Sequence, residues 1–375
     1  MMIGELVASI DLAFCRLARS RFTSLTVLLV IFSILWNGLG VLPRQPYRRV
    51  AENPYDKLAD FDENTFQESP LLPLIGYYTG LTTKRTFSAM AGVWILAGLL
   101  SLAFLGRKRF GPEVGMLSLG MAIGHPVTLV MYSWLGTPDG ITFLLTALLF
   151  FVQSYPLIFL VAFLGALNHP ILLFAGSALI LLRLLANEER VRPLHLLVLF
   201  LGFTLGTLAV QMYLAVNDIE VFSRLEFLRE RTFGSWFWHN ISWLPHALFS
   251  LHGVLWLALG LSVLWGFRKN RRYFAILILL QLAFYGITYF SIDTTRIFSL
   301  LAWAPTIHAI QYSLRLAEQE DDPGIGQRHR QAMIVIALLA LVQPRIYLWG
   351  GEIHGSGFNE FYIPFLQQAR WRGLW

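Results

Sequence analysis

Apolar runs of roughly bilayer length, about 20 residues, recur along almost the whole of this chain, and basic residues gather where they end. Backbone in lipid must satisfy its own hydrogen bonds, so runs of this kind are helices packed on one another. Charged residues make up only 14% of the sequence and hydrophobic ones 56%, against about a quarter charged in a soluble domain. The chain is therefore read as an all-α, polytopic integral membrane protein, a single transmembrane domain over residues 1–375. Its formal charge of +6 sits at helix ends, where it serves orientation and headgroup contact, so nucleic acid is not among the expected partners and membrane lipids are. A single cysteine, Cys15, excludes an internal disulfide. No short apolar core with a small-residue cleavage site opens the chain, so no removable signal peptide is expected.

The reading along the chain gives eleven transmembrane helices. Residues 1–22 carry Glu5, Asp11, Arg16, Arg19 and Arg21 and read as an interfacial amphipathic helix. Spans follow at 23–42, 87–106 and 114–135. The stretch 141–185 reads as three short spans, broken at Ser154-Tyr155-Pro156 and Asn168-His169-Pro170. Pieces of that length suit segments lining a cavity better than lipid-facing helices. The rest are 194–216, 246–267, 274–290, 297–316 and 331–349. With three short spans, the clusters Arg16/Arg19/Arg21, Arg107/Lys108/Arg109, Arg183/Arg190/Arg192, Arg268/Lys269/Arg271/Arg272 and Arg315/Arg328/Arg330 all fall on one side. That side is then cytoplasmic. Two long spans in their place would invert everything after them. The N-terminus is expected in the cytoplasm and the C-terminus outside, in the plasma (inner) membrane.

The other side collects the polar features. The first outer loop, 43–86, holds Asp56, Asp60, Asp62 and Glu63 within eight residues, interleaved with Tyr55, Phe61 and Phe66. An interfacial loop, 217–245, carries an aromatic belt, and an amphipathic tail, 350–375, closes the chain. Asp139 stands in Thr-Pro-Asp-Gly before the fourth span; it is either a turn or cap residue or part of a site. His169, before Pro170, is either a polar helix break or a ligand. Asp293 and Arg296 are three apart, so they either pair across one helical turn or serve a site; ionisable groups at membrane depth favour the second. His125, before Pro126 in the third span, is a kink residue or an inner member of the same site. The histidines lack metal-ligand spacing and no phosphate-binding glycine loop is present, so neither a dedicated metal site nor a cytoplasmic nucleotide is indicated.

An outer-face carboxylate beside arginine and histidine suits transfer of a sugar from a polyprenyl-phosphate donor. The cation, Arg296 with His169 as an option, holds the phosphate, and the carboxylate takes the proton from the acceptor hydroxyl. In layout the chain resembles the GT-C superfamily of polytopic glycosyltransferases: the acidic loop with Asp60-Phe61-Asp62-Glu63, then Ser69-Pro-Leu-Leu-Pro73, the broken middle spans with Asn168-His169-Pro170, and the late Asp293-Thr-Thr-Arg296. The resemblance implies a first-loop acid as general base, Asp62 first and then Asp60 or Glu63, with Asp139, His169, Asp293, Arg296 and His125 about the substrate. It implies a polyprenyl-phosphate-linked sugar donor, a lipid or glycan acceptor and, as in some members, a divalent metal, magnesium or manganese. The large C-terminal soluble domain of several members has no counterpart in this sequence. Two other readings stay open: a lipid-linked polysaccharide polymerase or ligase using Arg224, Arg229 and Arg231, and a transporter or flippase of lipid-linked sugars, which charges deep within spans would favour.

Overall fold

A computed structural model describes residues 2–41, 45–58, 61–221, 235–289, 291–350 and 352–355, without the side chains of 2–4, 61–64, 235 and 323. The described chain is almost entirely helical. Helices α5 (Lys84–Phe110), α11 (Leu194–Val216) and α15 (Arg271–Tyr289) are each long and apolar enough to cross a membrane. Three bent pairs raise the number to six. The first is α1 (Met2–Ser20) with α2 (Phe22–Asn37), at 109°. The others are α6 (Pro112–Gly124) with α7 (Pro126–Ser133), at 55°, and α13 (Leu244–His252) with α14 (Leu255–Gly266), at 75°. Three shorter apolar helices follow one another, α8 (Asp139–Leu149), α9 (Tyr155–Asn168) and α10 (Ile171–Leu185). Within the first loop, 43–86, lie the small helices α3 (Pro46–Glu52) and α4 (Leu71–Thr79), and α12 (Ser235–Ser242) precedes α13. The chain is a multi-pass membrane protein. Every segment expected as a span contains helix, two of them as bent pairs and the last only in part, while length and composition alone single out three to six as crossing.

Helix α16 (Thr294–Glu318) is the axis of the bundle: from Phe298 to Leu314 every side chain is buried. Trp303 stacks on Phe143 of α8, ring centres 4.5 Å apart. Around that axis, small residues let helices approach closely, as lipid-embedded pairs require where no hydrophobic drive exists between them. Gly202 and Gly206 of α11 show this best, because a Cβ on either would stand 2.5 Å from the carbonyl oxygen of Phe159 or Phe163 on α9.

The breaks have identifiable partners. Pro126 removes a backbone N–H and splits the third expected span at His125. The eighth expected span, 246–267, is also broken, at Gly253, whose φ of +57° no proline in the sequence announces. One residue serves both breaks: Gln343 accepts from the Val254 N–H at 2.6 Å and donates to the Gly124 carbonyl at 2.7 Å. Arg345 donates to the Gly124 and Ile123 carbonyls at 2.7 and 2.9 Å. The expected last span, 331–349, is shorter than read: α17 (Pro323–Val342) ends before Gln343, and β1 (Ile346–Trp349) turns back as a hairpin with β2 (Glu352–Gly355). The apolar Ile-Tyr-Leu-Trp run reads as a span continuing and is instead a strand that folds over the bundle end. The remainder of the expected tail, 356–375, lies outside the described residues.

The basic clusters meet at one end of the bundle. Arg330 pairs with Asp11 of α1, Lys269 with Glu320, and Arg19 with Glu113, while Arg109, Arg183 and Arg315 converge on Glu188. Asp139 and Asp293 stand at the other end, at the opposite ends of α8 and α16. Three short helices between residues 139 and 185 are what this alternation needs.

Candidate active site

The site is built where α8 and α16 begin. Asp139 lies in the first turn of α8, where an acid suits the helix dipole, directly after Pro138 at the N-cap. It faces Arg296 of α16. Arg296 Nε donates to Oδ2 at 2.7 Å and Nη2 to Oδ1 at 2.9 Å, a side-on bidentate pair between side chains 13% and 1% exposed. The remaining nitrogen, Nη1, donates to Asp293 Oδ2 at 3.0 Å, closing the one-turn pair that the spacing suggests. The Arg296 guanidinium also lies 5.3 Å from the centre of the Trp134 ring. Two carboxylates therefore share one guanidinium, which keeps a second N–H on each Nη for a further acceptor. Burial pushes the Asp293 carboxyl above its ordinary range; Arg296 opposes that shift and Asp139 adds to it. Asp293, 20% exposed, is the more accessible of the two acids.

The turns that hold this triad are fixed from several sides. Asn168, at the end of α9, donates to the Pro138 carbonyl at 2.8 Å and the Thr142 hydroxyl at 2.9 Å, locking the start of α8. Asn240 donates to the carbonyls of Tyr289 and Ser291 and accepts from Thr294, shaping the turn that carries Asp293. The hairpin covers that turn: Leu348 N–H donates to Thr295 Oγ1 at 2.8 Å and Gly350 N–H to the Ile292 carbonyl at 3.0 Å. Tyr347 and Trp349 both pack their rings on Trp134.

The first loop reaches the same place. Leu135 N–H donates to the Gly40 carbonyl at 3.0 Å and Gly40 N–H to the Tyr132 carbonyl at 2.8 Å, so the loop starts on the strip that leads to Asp139. Tyr47 of α3 lies within electrostatic reach of Arg296 and packs edge-on with Phe66 at 4.9 Å. Gln67, fully buried, donates to the Asp56 carbonyl at 2.9 Å and accepts from the Leu58 N–H. The loop is thus braced rather than draped. Of the expected bases, Asp60 lies outside the described residues; Asp62 and Glu63 fall in a 3₁₀ turn, Phe61–Glu68, and their side chains lie outside the described ones.

His169 and His125 each have backbone hydrogen bonds of their own. His169 Nδ1 accepts from the Ile171 N–H at 3.2 Å, closing the break between α9 and α10. His125 is wholly buried in a different polar chain. Its Nδ1 accepts from the Val127 N–H, so its Nε2 carries the proton and donates to His252 Nδ1 at 3.0 Å. His252 Nε2 then donates to Gln281 Oε1 at 3.1 Å, and Gln281 Nε2 to Thr306 Oγ1 at 3.0 Å. This arrangement ties α7, α13, α15 and α16 together with every donor pointing one way. Sequence reasoning missed Trp134, Gln343, Arg345, His252 and Gln281; polar residues beside an apolar run, as in Gln343-Pro-Arg345, are the signal that marks them.

A divalent metal, as in some members of the superfamily the chain resembles, would need a cluster of oxygen or nitrogen donors. No three His, Cys, Asp or Glu side chains among them come together as a donor set. Asp139 has both oxygens committed to Arg296. The described donors do not fit a metal.

No family model matches the sequence, and no curated protein matches it. Among solved structures the chain is similar to ArnT from Cupriavidus metallidurans in two crystal structures. In the apo state the identity is 13% and the TM-score 0.46. Bound to undecaprenyl phosphate the identity is 12% and the TM-score 0.47. Each match covers 86% of this chain and 69% of that chain.

Proposed function

We propose that this chain is a membrane glycosyltransferase that moves a sugar from a polyprenyl-phosphate-linked donor to a lipid or glycan acceptor, working at the extracytoplasmic face of the plasma membrane. The observation that carries the reading is the Asp139–Arg296–Asp293 triad at the end of the bundle opposite the basic clusters, with Tyr47 of the first loop beside Arg296. Asp139 holds the Arg296 guanidinium flat and leaves it two N–H groups, which are the donors for the phosphate of the lipid carrier. As the bond from sugar to phosphate breaks, negative charge grows on that phosphate, and a preorganised guanidinium stabilises it without reorganising.

A first-loop carboxylate, Asp62 before Asp60 or Glu63, takes the proton of the attacking acceptor hydroxyl. Asp293, the more exposed acid of the triad, orients acceptor hydroxyls. His169 and His125 have local hydrogen-bonding duties in the fold and act on the site through helix position. The test is sugar transfer by the purified chain in lipid from a pool of polyprenyl-phosphate sugars: transfer that Arg296→Gln lowers by about a hundredfold supports the reading. An intact Arg296→Gln variant as fast as the parent contradicts it.

A further inference from the structure

At the end of the bundle away from the triad, three arginines surround one carboxylate. Glu188, in the loop after α10, accepts from Arg183 Nε at 2.8 Å, Arg109 Nη2 at 2.7 Å and, more loosely, Arg315 Nη2 at 3.4 Å. His308 Nε2 lies 3.3 Å from the same carboxylate and its Nδ1 2.8 Å from the Tyr273 hydroxyl, and an imidazole adds no negative charge in either protonation state. Among the described residues Glu188 is the only ion-pair partner of all three arginines. Arg183 and Arg109 spend other donors on the carbonyls of Leu149, Val152 and Phe150 at the end of α8, which offsets part of the excess positive charge. It does not use all the donors. Arg183 Nη2, on a side chain 1% exposed, and Arg315 Nε are buried without a partner. Arg109 and Arg315 both lie against the Phe110 ring, 5.1 and 5.6 Å from its centre, and are the open side of the cluster.

Buried guanidiniums in excess of their acids, with donors left over, are stable where an anion completes them. We propose that the Arg109–Arg183–Arg315 cluster is an anion-binding site that takes a phosphate group, supplied by the headgroup of an anionic lipid in the adjoining leaflet or by free phosphate. The site is separate from the triad and independent of the reaction proposed there.

The full chain is placed in nanodiscs of phosphatidylcholine, with and without phosphatidylglycerol, and its Tm is read alongside Arg315→Gln, Arg315→Lys and Arg19→Gln. Inorganic phosphate is added to the phosphatidylcholine discs as a separate arm. Phosphatidylglycerol raises the Tm of the parent and of Arg19→Gln, a basic residue at the same end. In Arg315→Gln binding is about tenfold weaker, the loss of one charge-assisted hydrogen bond, and Arg315→Lys recovers part of it. A rise with phosphate alone assigns the site to free phosphate; a rise with the lipid alone assigns it to the headgroup. No rise with either anion, or equal loss of the rise in Arg315→Gln and Arg19→Gln, overturns the proposal.

Discussion

Arg296 grips Asp139 side-on across 157 residues of sequence, with contacts of 2.7 and 2.9 Å, and thereby joins the first turn of α8 to the first turn of α16. Both carboxylate oxygens are used, the acid is 1% exposed, and the cation is shared with Asp293. The pair is the fixed point of the proposed site.

Breaking a buried pair leaves its partner uncompensated, at about 3 kcal/mol or more. Asp139→Asn is expected to cost about that much, and Arg296→Gln a similar amount. In a double-mutant cycle the two losses are less than additive, because each removes the same contact. Additive losses in thermal unfolding would show that the contact does not matter to stability.

Asp293 behaves oppositely. Its carboxyl is pushed up by burial, so the folded state takes up a proton there more readily than the unfolded chain. The resulting contribution is present in full below the ordinary carboxylate pKa and is lost as pH rises through the raised value. At neutral pH the charged group therefore weighs against folding. Asp293→Asn is expected to hold or raise Tm at neutral pH, with the difference shrinking on acidification; a large loss at neutral pH contradicts this account.

The chain His125–His252–Gln281–Thr306 fixes both tautomers. Nitrogen NMR of labelled histidine should place the proton on Nε2 of both rings. Gln281→Leu leaves a donor and an acceptor unpaired and is expected to cost about 1 to 3 kcal/mol, read as a lower Tm in detergent.

The closeness of α9 and α11 gives a packing test. Gly206→Leu forces a side chain onto the Phe163 carbonyl, 2.5 Å from where its Cβ would be, and overpacking of this kind costs about 1 to 3 kcal/mol. Leu208→Ala, on the lipid-facing side of the same helix, should leave Tm almost unchanged.

The sequence announces its helices because lipid imposes a length and forbids unpaired backbone. The breaks at Pro156 and Pro170 are visible because proline removes a donor, and Asp293 with Arg296 is visible because three residues make a helical turn. The break at Gly253 is not, since a glycine within an apolar run suits a straight span equally well, and the side chain that fills the break, Gln343, is ninety positions on. The hairpin after α17 is hidden for a related reason: Ile346 to Trp349 is apolar whether it spans or folds back. Partners such as Asp139 with Arg296 and His125 with His252 are tertiary facts. Each residue is marked by its polarity in an apolar setting, but nothing local says which faces which.

Sugar transfer from a polyprenyl-phosphate donor pool, measured in native-like membranes with Asp60→Asn, Asp62→Asn and Glu63→Gln beside the parent, tests the central claim most directly. The account predicts transfer by the parent and its loss in one first-loop variant, Asp62→Asn before the others, with that variant folded and present at the parent's level. A parent that transfers no sugar from any such donor, or three folded variants that all transfer at the parent's rate, contradicts it.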